Sequence, residues 1–195
     1  MTELIVATGN PGKRDEMQAY LAQSGWRLQL KPEAVDPPET GMTFAENAAL
    51  KAAHVARATG KWAIAEDSGL CVRALGARPG IYSARYGRSD HERIQRLLQE
   101  LGDSDDRAAQ FACAVAVAQP DGAITLQAQG SCWGKILTQP RGSGGFGYDP
   151  VFYVPQQGQT FAQMPPATKQ QLSHRAQAFR TLLPQLAALP GTAHG

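Results

Sequence analysis

The sequence predicts an α/β protein in which a central mixed β-sheet is flanked by helices. Three observations lead there. Compact apolar runs at residues 4–8, 63–65 and 109–118 read as buried strands. Segments of helical period with capping signals stand between them, the alternation that builds parallel βαβ units. Pro120-Asp121-Gly122 then joins residues 109–118 to a returning strand at 124–128, which adds antiparallel pairing. At 195 residues the chain suits one domain with a sizeable core and is short for two.

The first strand, Leu4-Ile5-Val6-Ala7-Thr8, is broken by Gly9-Asn10-Pro11-Gly12. From Lys13 a helical pattern runs through Met17, Tyr20 and Leu21 and ends near Gly25. Trp26, Leu28 and Leu30 alternate as a second strand, and residues 36–41 form a rigid polar loop. Thr43 and Glu46 have capping-box spacing, so a helix runs from there to Gly60 with Phe44, Ala48, Ala52, Val55 and Ala56 inward. Glu46 is expected to cap its own helix. The central strand, Ala63-Ile64-Ala65, is expected to stop at Glu66 and Asp67 and break at Ser68-Gly69.

Ser89 and Glu92 open a further helix through Ile94, Leu97, Leu98 and Leu101. Residues 131–137 and 151–154 read as two more strands, and 161–168 as irregular because of Pro165-Pro166. Ser173 caps a last helix carrying His174, Arg175, Phe179 and Leu182, limited or kinked by Pro184. The domain is expected over 1–190, with 191–195 as a disordered tail.

Composition excludes several classes. Apolar content is ordinary, which argues against disorder. A net charge of +2 is too small for a nucleic-acid scaffold, yet it does not repel a small anion. Cys71, Cys113 and Cys132 are odd in number and without CxxC spacing, so reduced core thiols are expected. Glu3 precedes a very short apolar run, and no run approaches a membrane span of about 20 residues. Neither a signal peptide nor a membrane is expected, and the cytoplasm is the default location.

Chemistry concentrates in few places. Two adjacent carboxylates, Glu66 and Asp67, repel unless positive charge sits between or beside them. A divalent cation answers this, because hard carboxylate oxygens suit Mg²⁺ that also holds phosphates. The strand–turn–helix at residues 4–21 offers backbone N–H groups and a positive helix end to an anion, and Lys13 adds a point charge. It is not a Walker A loop: Gly9 and Gly12 stand too close, and Arg14 occupies the place of the Ser or Thr.

Asn47 and Lys51 lie four apart on one helical face; both can point at one anion, although a solvated face is the plainer reading. In the glycine loop 142–150, glycine lets the backbone approach a ligand, and Phe146 can stack on a planar base. His54, His91, His174 and His194 show no zinc spacing. Ser68 and Cys71 have no nearby histidine to activate them, and Cys71 reads as core.

Six stretches, in order along nearly the whole chain, resemble the inosine/xanthosine triphosphate pyrophosphatases, the house-cleaning enzymes for non-canonical purine NTPs. They are Ala7-Thr8-Gly9-Asn10-Pro11-Gly12-Lys13, Thr43-Phe44-Ala45-Glu46-Asn47-Ala48 with Lys51-Ala52, and Glu66-Asp67-Ser68-Gly69-Leu70. They continue with Pro79-Gly80-Ile81-Tyr82-Ser83-Ala84-Arg85-Tyr86, Gly144-Gly145-Phe146-Gly147-Tyr148-Asp149-Pro150, and Ser173-His174-Arg175.

The resemblance implies Mg²⁺-dependent hydrolysis of ITP, dITP or XTP to the monophosphate and pyrophosphate, an elongated two-lobed single domain, and a homodimer. By position it implies Asp67 as general base and metal-site residue, with Glu39 and Glu66 as further metal-side carboxylates. Thr8, Asn10, Lys13, Lys51, Ser68 and Arg85 then hold phosphates, with Gly9, Pro11 and Gly12 in the same turn. Phe146, Gly147, Tyr148, Asp149, Lys169, His174 and Arg175 hold sugar and base. Lys169, His174 and Arg175 are donors that meet the 6-oxo acceptor of hypoxanthine or xanthine and mismatch the amino group of adenine.

Overall fold

The computed structural model of the chain describes residues 2–22 and 24–189, so the expected tail at 191–195 lies outside the described residues. Among the described residues, seven strands form one sheet in the order β2-β1-β3-β4-β5-β6-β7. These are β1 (Glu3–Val6), β2 (Arg27–Leu30), β3 (Trp62–Val72), β4 (Ala108–Ala118), β5 (Ile124–Ile136), β6 (Phe152–Val154) and β7 (Gln159–Thr160). The helices are α1 (Pro11–Leu21), α2 (Phe44–Thr59), α3 (Asp90–Leu101), α4 (Pro166–Leu172) and α5 (His174–Ala187). β1 pairs in parallel with β2 and β3, whereas β6 pairs antiparallel with β5 and β7, so the sheet is mixed as expected.

The chain divides into two compact units. The first holds residues 1–67, 113–130 and 175–195; the second holds 68–112 and 131–174. Strand periodicity builds two cores in the first unit. Leu4 and Val6 of β1 join Met17 and Leu21 of α1, Val115 and Val117 of β4, and Phe179 and Leu182 of α5. Ile5, on the opposite face of β1, joins Ala48, Ala52, Val55 and Ala56 of α2 and Ala114, Ala116 and Ala118 of β4. Alanine against alanine lets α2 lie close on the strands, which places its polar first turns beside the end of the β3 segment of this unit.

The second unit has its own core. Leu70 and Val72 of β3 pack with Ile94 and Leu97 of α3, and with Phe111, Phe152 and Phe161. Phe111 and Phe152 have ring centroids 4.6 Å apart, a tilted contact worth roughly 0.5–1.5 kcal/mol beyond burial.

Three sequence expectations change. β3 does not break at Ser68-Gly69 but continues to Val72. Its apolar pattern resumes at Leu70, whose N–H donates to Ser83 Oγ at 2.9 Å, and Glu66 and Asp67 are themselves buried. β5 is one strand where two were expected. Residues 166–172 are helical, because Pro166 stands at a helix start, where proline fits. Pro184, expected to limit or kink the last helix, lies inside α5, which ends at Ala187.

Candidate active site

In the first unit, the backbone of the turn after β1 is organised by its own side chains. Asn10 caps α1: its Oδ1 accepts from Lys13 N–H at 3.0 Å, and its own N–H donates to Thr8 Oγ1 at 3.2 Å. Pro11 occupies the first position of α1, with Gly12 and Lys13 in the same turn. The Lys13 ammonium reaches Glu66 Oε1 at 2.9 Å. Six of the expected residues, Thr8 to Lys13, thus form one cationic helix start.

Glu66 is fully buried and meets more than Lys13. Its Oε2 accepts from Arg175 Nε at 2.6 Å and from the Cys113 thiol at 3.3 Å. Burial by itself pushes this carboxyl up, but Arg175 and Lys13 more than offset that and hold it well below the usual value of 4.5. Burial, then the Glu66 charge, raises the Cys113 thiol well above its ordinary value. Arg175, expected with the base-holding residues, belongs to the first unit, where its guanidinium pairs with Glu66 and Glu16.

Asp67 stands in a different setting. Its Oδ1 accepts from Lys51 Nζ at 3.0 Å, and the same ammonium donates to Glu39 Oε1 at 2.9 Å. Burial disfavours the charged lysine, but Asp67 and Glu39 overcome it and raise the Lys51 pKa. Asp67 Oδ2 accepts from Asn47 Nδ2 at 3.1 Å. The face carrying Asn47 and Lys51 is therefore buried, which corrects the solvated reading. Thr43 and Glu46 form the expected cap: Thr43 Oγ1 accepts from Glu46 N–H, and Glu46 accepts from Met42 N–H at 2.6 Å.

Among the described residues no group of three or more His, Cys, Asp or Glu side chains is placed to hold a metal. Asp67 and Glu39 converge on the Lys51 ammonium. Such a donor set fits Mg²⁺, which is held by one or two carboxylates and takes its remaining oxygens from phosphate and water.

In the second unit, which begins at Ser68, the glycine loop is closed on itself. Asp149 Oδ2 accepts from Phe146 N–H at 2.9 Å and from Lys169 Nζ at 2.6 Å. Gly145 has φ of 72°, and a Cβ there would run into Asp149. Gly147 N–H donates to Asp90 Oδ2 at 2.7 Å. Lys169 Nζ also lies 4.7 Å from the centre of the Phe146 ring. His174 stacks on Phe111 with centroids 4.8 Å apart. Tyr148 donates its hydroxyl to Ser83 O at 2.9 Å, and burial pushes its phenol well above the ordinary value. Arg85 is grouped elsewhere in this unit: with Tyr82, Tyr86, Arg78 and Arg96 it lines a cavity of about 300 Å³.

Sequence reading missed Glu16, Asp90 and Phe111, which carry no motif and become partners of Arg175, Gly147 and His174 only in space. For the Asn47 and Lys51 pair the signal was their i,i+4 spacing.

Fold and site together define the class, a mixed α/β protein with a carboxylate–lysine centre beside a cationic helix start. The Ham1 family model matches residues 4–185, and the chain belongs to the Ham1 family. It is 62% identical over 186 residues to a dITP/XTP pyrophosphatase of Nostoc sp., 95% of each chain. To a dITP/XTP pyrophosphatase of Synechocystis sp. it is 55% identical over 185 residues, again 95% of each. A solved Ham1 protein from Coxiella burnetii matches with a TM-score of 0.88 and 41% identity, over 97% of this chain and 100% of that one. None of the described helices is long and apolar enough to cross a membrane.

Proposed function

We propose that this protein hydrolyses non-canonical purine nucleoside triphosphates (ITP, dITP and XTP) to the monophosphate and pyrophosphate, using Mg²⁺. The observation that carries the reading is the convergence of Asp67 and Glu39 on Lys51. Relatives named dITP/XTP pyrophosphatase, similar over nearly the full chain, support the substrate class.

Bound Mg²⁺ would supply positive charge to offset the negative charge that develops on the phosphates. Asp67 and Glu39 would hold it; Glu66, the third carboxylate assigned to the metal side, has its oxygens on Lys13 and Arg175. Asp67 accepts the proton of the attacking water. Lys13 and Lys51, with Thr8, Asn10, Ser68, Arg85 and the turn at Gly9, Pro11 and Gly12, bind the triphosphate and stabilise the leaving pyrophosphate. Phe146, Gly147, Tyr148 and Asp149 hold sugar and base, and Lys169 and His174 present donors to the 6-oxo group. Arg175 is assigned with them to sugar and base, and its guanidinium also pairs with Glu66 and Glu16. A cytoplasmic homodimer belongs to the same reading, with light scattering as its check.

The decisive test is pyrophosphate release from ITP, dITP, XTP, GTP, ATP, UTP and dTTP, with Mg²⁺ and with chelator. Metal-dependent release from the first three, with ATP and GTP spared, supports the reading; a pyrimidine preference or binding without turnover overturns it. Asp67→Asn is expected to lower turnover by about 10²–10⁴-fold while nucleotide binding persists; full activity in that variant contradicts the base assignment.

A further inference from the structure

We infer that Asn47 is a positioning residue, one amide that orients the Asp67 carboxylate and anchors the loop bearing Glu39. The inference rests on the pyrophosphatase reading of the same site. Asn47 is 1% exposed, and both ends of its side chain are spent on the centre. Nδ2 donates to Asp67 Oδ2 at 3.1 Å, and Oδ1 accepts from Gly41 N–H at 2.8 Å. The orientation of the amide is dictated by its neighbours. The reverse would set a carbonyl oxygen against a carboxylate and an NH₂ group against an N–H.

Gly41 is shaped to this contact. A Cβ there would lie 2.7 Å from Glu46 Cβ and 2.8 Å from Asn47 Oδ1, so any side chain pushes the loop off the amide. Glu39 stands two residues before Gly41, and α2 therefore holds Asp67 and the Glu39 loop through the same residue.

Lys51, one turn further along α2, takes the other Asp67 oxygen at 3.0 Å. The two contacts differ in kind. In the proposed reaction Lys51 turns its charge to phosphate, and that contact weakens as substrate binds. Asn47 is neutral and buried, has no phosphate to attract it, and keeps its bond to Oδ2. Asp67 thus retains one fixed oxygen and presents the other, Oδ1, toward the reaction. A carboxylate free to rotate would lose that orientation, and partners of this kind, acting through a metal-site or catalytic group, are typically worth about 10–100-fold.

The test compares Asn47→Ala, Asn47→Asp and Gly41→Ala with the parent enzyme, reading kcat and KM for ITP with Mg²⁺, ITP affinity in chelator, and thermal unfolding. Asn47→Ala is expected to lower kcat about 10–100-fold, with KM and metal-free affinity within about threefold. Asn47→Asp keeps an acceptor for Gly41 N–H but offers Asp67 no donor, so its kcat loss should equal or exceed that of alanine. Gly41→Ala should lower kcat through the loop. In an Asp67→Asn background, Asn47→Ala should cost nothing further, because the two act as one unit.

Parental kcat in a folded Asn47→Ala, or full recovery in Asn47→Asp, overturns the role. So does a loss that is wholly a loss of folded protein, or one that adds to Asp67→Asn. A parent enzyme with no pyrophosphatase activity overturns the functional reading instead, and the two failures are thereby distinct.

Discussion

Arg175 Nε lies 2.6 Å from Glu66 Oε2, a bond that closes 109 positions of chain. Both residues are 1% exposed. Lys13 completes the group from the start of α1, and Glu16 takes a second nitrogen of Arg175. Taking such charges out of water is costly, so their value lies in mutual compensation, and removal of one partner leaves the others buried and uncompensated.

Glu66→Gln is therefore expected to destabilise the fold by about 3–5 kcal/mol, measured by denaturant unfolding. A change below about 1 kcal/mol, the scale of an exposed pair, would show that the group contributes as a surface pair does.

The same carboxyl makes stability depend on pH. Its folded-state pKa is depressed below the ordinary 4.5, although burial alone would raise it, because Arg175 and Lys13 favour the ionised form. A depressed acid contributes stability that is present above the unfolded value and lost as pH falls through the folded one. The thermal midpoint of the parent protein should thus drop in acid from about pH 4.5 downward, and its advantage over Glu66→Gln should shrink there. An advantage that stays constant on acidification contradicts this.

Lys51 bridges Glu39 and Asp67 and is the helix-borne cation of the centre. Lys51→Met should raise KM for ITP by about 10–150-fold, the worth of a charged hydrogen bond of about 1.5–3 kcal/mol. Lys51→Arg, which keeps the charge, should recover part of it. Steady-state kinetics at saturating Mg²⁺ decide, and an unchanged KM removes the lysine from phosphate binding.

Lys169, the proposed base-reading donor, lies in the second unit at 2.6 Å from Asp149 and over the Phe146 ring. Lys169→Ala should lower the preference for ITP over ATP by about tenfold, one hydrogen bond in kcat/KM. The ratio of the two kcat/KM values is the readout, and an unchanged ratio assigns base choice to other groups.

Local chemistry was legible in the chain. The Thr43–Glu46 and Ser89–Glu92 caps, the Asn10 turn and the Pro120-Asp121-Gly122 connection act over a few residues, and the structure has each where the sequence placed it. The proline at 166 misled because the same residue that breaks a helix interior suits its first turn. The Ser68-Gly69 break was misread for a different reason. Whether a polar stretch interrupts a strand depends on its neighbours, and here Glu66 and Asp67 are partnered by Lys13, Arg175, Lys51 and Asn47.

By itself the sequence determined the α/β class, the mixed sheet, most element positions and the residues of the six stretches that resemble the pyrophosphatases, because periodicity, caps and turns are written in adjacent residues. Only the tertiary structure decided how the charges divide: Asp67 and Glu39 on Lys51, Glu66 on Lys13 and Arg175, and Asn47 between Asp67 and Gly41. Those pairings join residues from distant parts of the chain, and a charge in a buried site is set by what folding brings within about 3 Å of it.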